Sequence, residues 1–128
     1  MGPCDAVAVG AAGEGDVMNV HETLLAAQIA QAGLPKPSRQ YPYAKPRRFR
    51  ADFAWPLYAL LVEVTGGVWN RRAHGSITGV LADIDRLNEA TRHRWRMLRF
   101  TPDAVDDGSA LALLREVLAQ AALAEKEA

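Results

Sequence analysis

Apolar and polar positions alternate along this chain in several distinct rhythms. Between Val20 and Ala32, Leu25, Ile29 and Ala32 recur at helical spacing, which predicts a first helix over that span. Asn19 stands where an N-cap belongs, Gly33 ends the pattern, and Pro35 and Pro37 prevent its return. Arg39 to Pro46 reads as extended chain leading into a strand over Arg47 to Ala54, which Pro56 interrupts. Tyr58 to Val64 is almost continuously apolar, the pattern of a central strand buried on both faces, and Gly66-Gly67 closes it. Val68 to Thr78 reads as a short strand and a polar loop. A second helix is expected from Gly79 to His93 with Leu81, Ile84 and Leu87 turned to the core. Trp95 to Phe100 forms a strand, broken by Thr101-Pro102. A last helix runs from Ser109 to Lys126 with Leu111, Leu114, Val117, Leu118 and Ala121 inward. Residues 1–17, rich in Gly and Ala and without periodicity, are expected to be a flexible arm preceding a single domain over 18–128. The predicted fold class is α/β, a mixed sheet flanked by helices in the order α-β-β-β-α-β-α.

With 128 residues and 49% hydrophobic content, the chain suits one domain with an ordinary core. Its single cysteine, Cys4, excludes an intrachain disulfide and a cysteine-built zinc cluster. No apolar run approaches the roughly 20 residues of a membrane span, and no secretion signal is visible, so the expectation is a cytoplasmic protein with no membrane partner.

The formal net charge is zero, but the charges are segregated. Four acids and no Lys or Arg precede Lys36; from Lys36 to Arg99 there are eleven Arg and two Lys against five acids; from Phe100 onward six acids face Arg115 and Lys126. An arginine-rich middle suits a polyanion, because guanidinium groups bind phosphates bidentately. The alternative is an ordinary solvated surface.

Two acids interrupt the central strands. Asp52 ends one apparent strand, and Glu63 lies within the apolar run of the next. A carboxylate buried in a strand is costly unless a cation or a metal ion compensates it. Two on neighbouring strands can hold a hard divalent cation. The alternatives are a solvated strand end for Asp52 and a salt bridge from Glu63 to Arg50 or Arg86.

Taken in order, Glu22 on the first helix, Arg50-x-Asp52, Val62-Glu63-Val64-x-Gly66-Gly67, His74, Asp83-x-x-Arg86-x-Asn88 and the run from Trp95 to Thr101 resemble the PD-(D/E)xK nuclease superfamily. Within it, the chain is most similar to the small endonucleases related to very-short-patch repair enzymes, including phage-encoded ones. The resemblance covers the chain from about Val20 onward. It implies a restriction-endonuclease-like core, DNA as partner, and Mg²⁺ (or Mn²⁺ in its place) held by Asp52 and Glu63 for phosphodiester hydrolysis. The usual acid-x-Lys pattern is absent: Thr65 stands at the lysine position and offers a hydroxyl and a carbonyl to the metal. The general base is then unassigned, and His74 is the best-suited residue. Arg86 can supply the missing positive charge from the second helix. Glu22 matches an acid that the superfamily places on the first helix, although Asn19-x-x-Glu22 also has capping-box spacing. Arg47, Arg48, Arg50, Arg71 and Arg72 are the expected phosphate contacts. Trp55 and Trp69 could stack on bases or lie in the core. Double-strand cutting would favour a homodimer. The competing readings are a nucleic-acid-binding protein on a degenerate nuclease fold and a structural or assembly protein.

Overall fold

The computed structural model describes residues 14–65 and 77–127. Its elements are helix α1 (Glu14–Gln31), strands β1 (Ser38–Pro42) and β2 (Arg50–Trp55), a 3₁₀ turn (Pro56–Tyr58), β3 (Leu60–Val64), helix α2 (Ile77–Arg92), β4 (Arg96–Phe100), and helices α3 (Pro102–Asp107) and α4 (Ser109–Glu127). One four-stranded sheet runs β1-β2-β3-β4. The first two pairings are antiparallel, as a hairpin and a tight turn allow. β3 and β4 are parallel, joined by the crossover that contains α2. The expected α/β class, a mixed sheet with flanking helices, is present.

Local chemistry explains most boundaries. α1 ends in a Schellman motif: Gly33 has φ +71°, its amide donates to the Ala30 carbonyl at 3.1 Å, and the Leu34 amide donates to the Ile29 carbonyl at 3.2 Å. The helix starts at Glu14, so Asn19 lies inside it and is not its N-cap, and residues 14–17 are helical; the rest of the expected arm lies outside the described residues. The chain read as merely extended forms β1, while the strand expected from Arg47 begins at Arg50. Thr101-Pro102 ends β4 but also begins a helix that periodicity had no room to reveal. The Thr101 hydroxyl accepts from the Ala104 amide at 3.1 Å, and Pro102 occupies the first turn, where its missing N–H costs nothing. The strand expected within Val68 to Thr78 falls almost wholly outside the described residues; Ile77 and Thr78 already belong to α2.

The sheet separates two apolar clusters. On one side Leu25 and Ile29 of α1 and Leu114 and Leu118 of α4 pack on Phe53, Trp55, Leu60, Val62 and Phe100. On the other, Tyr43, Ala44, Ala51, Ala54, Leu61 and Ala90 form a smaller cluster, with Trp95 and Met97 against it. Trp55 is a core residue, 3% exposed, and its indole N–H donates to the Pro35 carbonyl at 2.8 Å. Base stacking by Trp55 is therefore excluded in this arrangement, and Trp69 lies outside the described residues.

Helix α2 contradicts its expected orientation. Leu81, Ile84 and Leu87 are exposed, at 59%, 49% and 41%, and Ala90 is the one buried residue of the helix. The reason is electrostatic. Its Asp83, Asp85, Arg86 and Glu89 all find ionic partners on the strands or on the loop between β1 and β2, so the charged side lies toward the sheet, with the side chains of Asp83 and Asp85 still exposed. Among the described residues no helix is long and apolar enough to cross a membrane.

Candidate functional site

Four polar residues are neighbours in a row across the sheet. Ser38 pairs with Ala54 and Pro42 with Arg50, which sets Gln40 opposite Asp52. The β2–β3 ladder ends at Phe53–Val62; just beyond it the Asp52 carboxylate accepts from the Val64 amide, and Glu63 lies close enough for its charge to raise the Asp52 pKa. Glu63 in turn is the direct partner of Arg99 on β4. The row Gln40, Asp52, Glu63, Arg99 is one of neighbours across the strands, not of side chains fixed to one face: Ala51 and Ala54 share a cluster, so the alternation of β2 breaks beside Asp52, and Gln40 is left-handed.

Asp52 is held at both oxygens. Its Oδ2 accepts from the Val64 amide at 2.9 Å and its Oδ1 from the Gln40 side-chain amide at 3.2 Å. The same Gln40 nitrogen donates to Glu22 Oε2 at 3.0 Å, where Arg39 Nη2 also donates at 3.0 Å. Glu22 is buried, 7% exposed, and spends its carboxylate on these strand residues, not on a capping box. Gln40 reaches both acids from a left-handed backbone, φ +48°, a conformation unfavourable for a side-chain-bearing residue. Strain of this kind concentrates at functional sites. Burial pushes the Asp52 carboxyl up to about 6; the nearby Glu22 and Glu63 charges add to the rise, while the Val64 amide and the Gln40 side chain oppose it.

Glu63 is 6% exposed and is compensated by two arginines. Arg86 Nη2 donates to its Oε2 and also to the Arg50 carbonyl at 2.9 Å. Arg99 Nε lies 3.5 Å from Oε1. That contact is an ion pair and not a hydrogen bond: Arg99 Nε is buried with no hydrogen-bond partner. The salt bridge to Arg86 is the one the sequence allowed; the second, to Arg99, was hidden because only the parallel β3–β4 register brings the two together. Gln40, Arg39 and Arg99 are thus site residues that the sequence reading did not single out for this role. Only Arg99 left a signal, as a charge between apolar residues of β4.

At the lysine position of the acid-x-Lys pattern, the Thr65 hydroxyl donates to the Phe100 carbonyl at 3.1 Å and its amide to the same oxygen at 2.8 Å. His74, Arg71 and Arg72 lie outside the described residues. Arg47 is committed to Asp85 and reaches Glu89 at 3.8 Å, and Arg50 Nη1 donates to the Gln40 carbonyl at 2.9 Å. The Asp85 contact holds that carboxyl below its ordinary range. Arg48 is exposed. With Lys45, Arg47, Arg50, Pro42 and Pro46 it lines a cleft of about 360 Å³. A larger hollow, about 650 Å³, lies between the 3₁₀ turn and α4 and includes none of Glu22, Asp52 and Glu63.

The chemistry of the donors fits a divalent cation to a limited degree. Among the described residues no group of three or more His, Cys, Asp or Glu is placed to hold a metal ion. Asp52 and Glu63 remain, close enough for one charge to raise the other's pKa, and Mg²⁺ needs no more from the protein when substrate phosphate and water complete its shell. Asp52 is the more available of the pair, since its partners are uncharged, whereas Glu63 would have to give up part of its arginine contacts. The elevated Asp52 pKa marks uncompensated negative charge that a cation would relieve.

No protein-family model matches the chain, and no curated protein or solved structure matches it.

Proposed function

We propose that this protein is a metal-dependent endonuclease that hydrolyses DNA phosphodiester bonds. The observation that carries the reading is two neighbouring acids on adjacent strands, Glu63 buried and Asp52 half-buried, with Arg86 and Arg99 against Glu63. Asp52 and Glu63 would hold Mg²⁺, with Thr65 beside them at the end of the strand. When bound, the ion polarises a phosphate oxygen and makes water a better nucleophile near neutral pH. In the reaction an oxygen–phosphorus bond forms from water and one phosphate ester bond breaks. The attacking water loses its proton to a base, for which His74 remains our assignment, and the departing oxygen takes one from solvent.

The chain's own residues have separable duties. Glu22 and Gln40 fix Asp52 in place. Arg86 balances Glu63 and lies close enough to the row to share its charge with a phosphate. Lys45 and Arg48, exposed beside the cleft, suit backbone phosphates further along the strand, as Arg71 and Arg72 do by sequence.

A second reading is binding without cleavage on the same fold. It draws on Glu63, whose two oxygens both face arginines, and on Thr65, which brings no cation to the usual lysine position. Incubation with single-stranded, nicked, mismatched and duplex DNA in Mg²⁺ or Mn²⁺ separates the two. The nuclease reading expects cleavage that Asp52→Asn abolishes; tight, salt-sensitive binding with no cut product would establish the second.

A further inference from the structure

Arg99 differs from the other arginines around the row. Arg47 is committed to Asp85, Arg39 to Glu22, and Arg86 to Glu63 and a main-chain carbonyl. Among the described residues Arg99 has only long contacts: Nε lies 3.5 Å from Glu63, and Nη2 lies 3.5 Å from Asp83 Oδ1. Both belong to the same edge of its guanidinium. Its Nε is buried and has no hydrogen-bond partner, although the side chain as a whole remains 27% exposed. A buried donor left without an acceptor is unfavourable, so the position favours any ligand that supplies one.

The Nε–Nη2 edge of a guanidinium presents two parallel N–H groups whose spacing matches two oxygens of one phosphate. In Arg99 that edge lies directly beside Glu63, the acid whose strand carries threonine where a lysine is usual. We propose that Arg99 binds the non-bridging oxygens of the scissile phosphate through this edge. It would thereby supply, from the neighbouring parallel strand, the positive charge that Thr65 cannot. Phosphate oxygens would replace the long contact to Asp83 and satisfy the orphaned Nε–H. The proposal rests on the nuclease reading for the word scissile, but the phosphate contact itself does not require cleavage.

Two measurements on the full chain test it. The first follows the Arg99 Nε–H resonance by ¹⁵N-edited NMR while a duplex oligonucleotide is added with Ca²⁺. A downfield shift that saturates with binding is expected. The second compares single-turnover cleavage in Mg²⁺ by the wild type, Arg99→Lys and Arg99→Ala. Loss of one such donor is expected to slow Arg99→Ala by about 10²-fold or more. DNA affinity should fall far less than the rate, Arg99→Lys should recover part of the rate, and added guanidinium should partly rescue Arg99→Ala, which a purely structural role would not allow. An unmoved Nε–H, or an Arg99→Ala rate equal to wild type, overturns the proposal. A moved resonance in a protein that cuts nothing would retain the phosphate contact and remove the nuclease reading. If Arg99→Ala does not fold, the wild-type titration decides.

Discussion

Gln40 and Asp52 face each other across the β1–β2 hairpin, and one Gln40 nitrogen donates to Asp52 at 3.2 Å and to Glu22 at 3.0 Å. The amide thus tethers two acids from opposite sides while carrying no charge of its own. Replacing it with leucine removes a donor that favours the ionised form of Asp52. Gln40→Leu should therefore raise the Asp52 pKa above about 6, read from its carboxyl ¹³C shift against pH. An unchanged or lower value would show that Gln40 does not govern the pair.

The raised Asp52 pKa also sets a direction for stability. The folded chain holds this proton up to about pH 6, against an ordinary value of 3.8. Protonation therefore favours the fold: the contribution is complete below about pH 4, declines as pH rises, and is lost above about pH 6, with a ceiling of about 3 kcal/mol. Asp52→Asn should flatten that part of the pH–stability curve in urea titrations. An identical slope in the variant would contradict the assignment.

Arg86 compensates a buried charge from a helix whose apolar side faces away. Arg86→Ala leaves Glu63 with Arg99 alone. Breaking a buried pair costs about 3–5 kcal/mol, and the remaining arginine should keep the loss near the lower end. Arg86→Ala combined with Glu63→Leu should recover much of that loss, since the stranded carboxylate is gone. No recovery in the double variant would mean that Arg86 stabilises the fold by other contacts.

The exposed stripe on α2 gives an independent check. Leu81→Lys and Ile84→Lys should each change stability by about 0.5 kcal/mol or less, as substitutions at exposed sites do. Losses of several kcal/mol would instead place these side chains in a core.

That helix shows where the sequence was legible and where it was not. Apolar runs with a single competing outcome were readable: Leu60 to Val62 lie fully inside the sheet, and Leu114 and Leu118 face it at helical spacing. In α2 the periodicity was equally clear, yet ionic pairing with residues far away in sequence decided which face turned inward. The site divides in the same way. Asp52 and Glu63 stood out because acids are conspicuous in apolar strands. Gln40 and Arg99 depend on registers that no local pattern encodes, and the left-handed backbone of Gln40 has no signature in a residue that is neither Gly nor Asn. The short helix α3 was hidden because a proline after a strand signals a break as well as a helix start.

The central claim is that Asp52 and Glu63 together hold a divalent cation. A crystal of the full chain soaked in Mn²⁺, measured at the manganese absorption edge, tests it most directly. The account predicts an anomalous peak between the two carboxylates, absent in Asp52→Asn, with Glu63 drawn partly away from Arg86. A Mn²⁺-soaked crystal with both acids still engaged as they are here, and no peak between them, would contradict it.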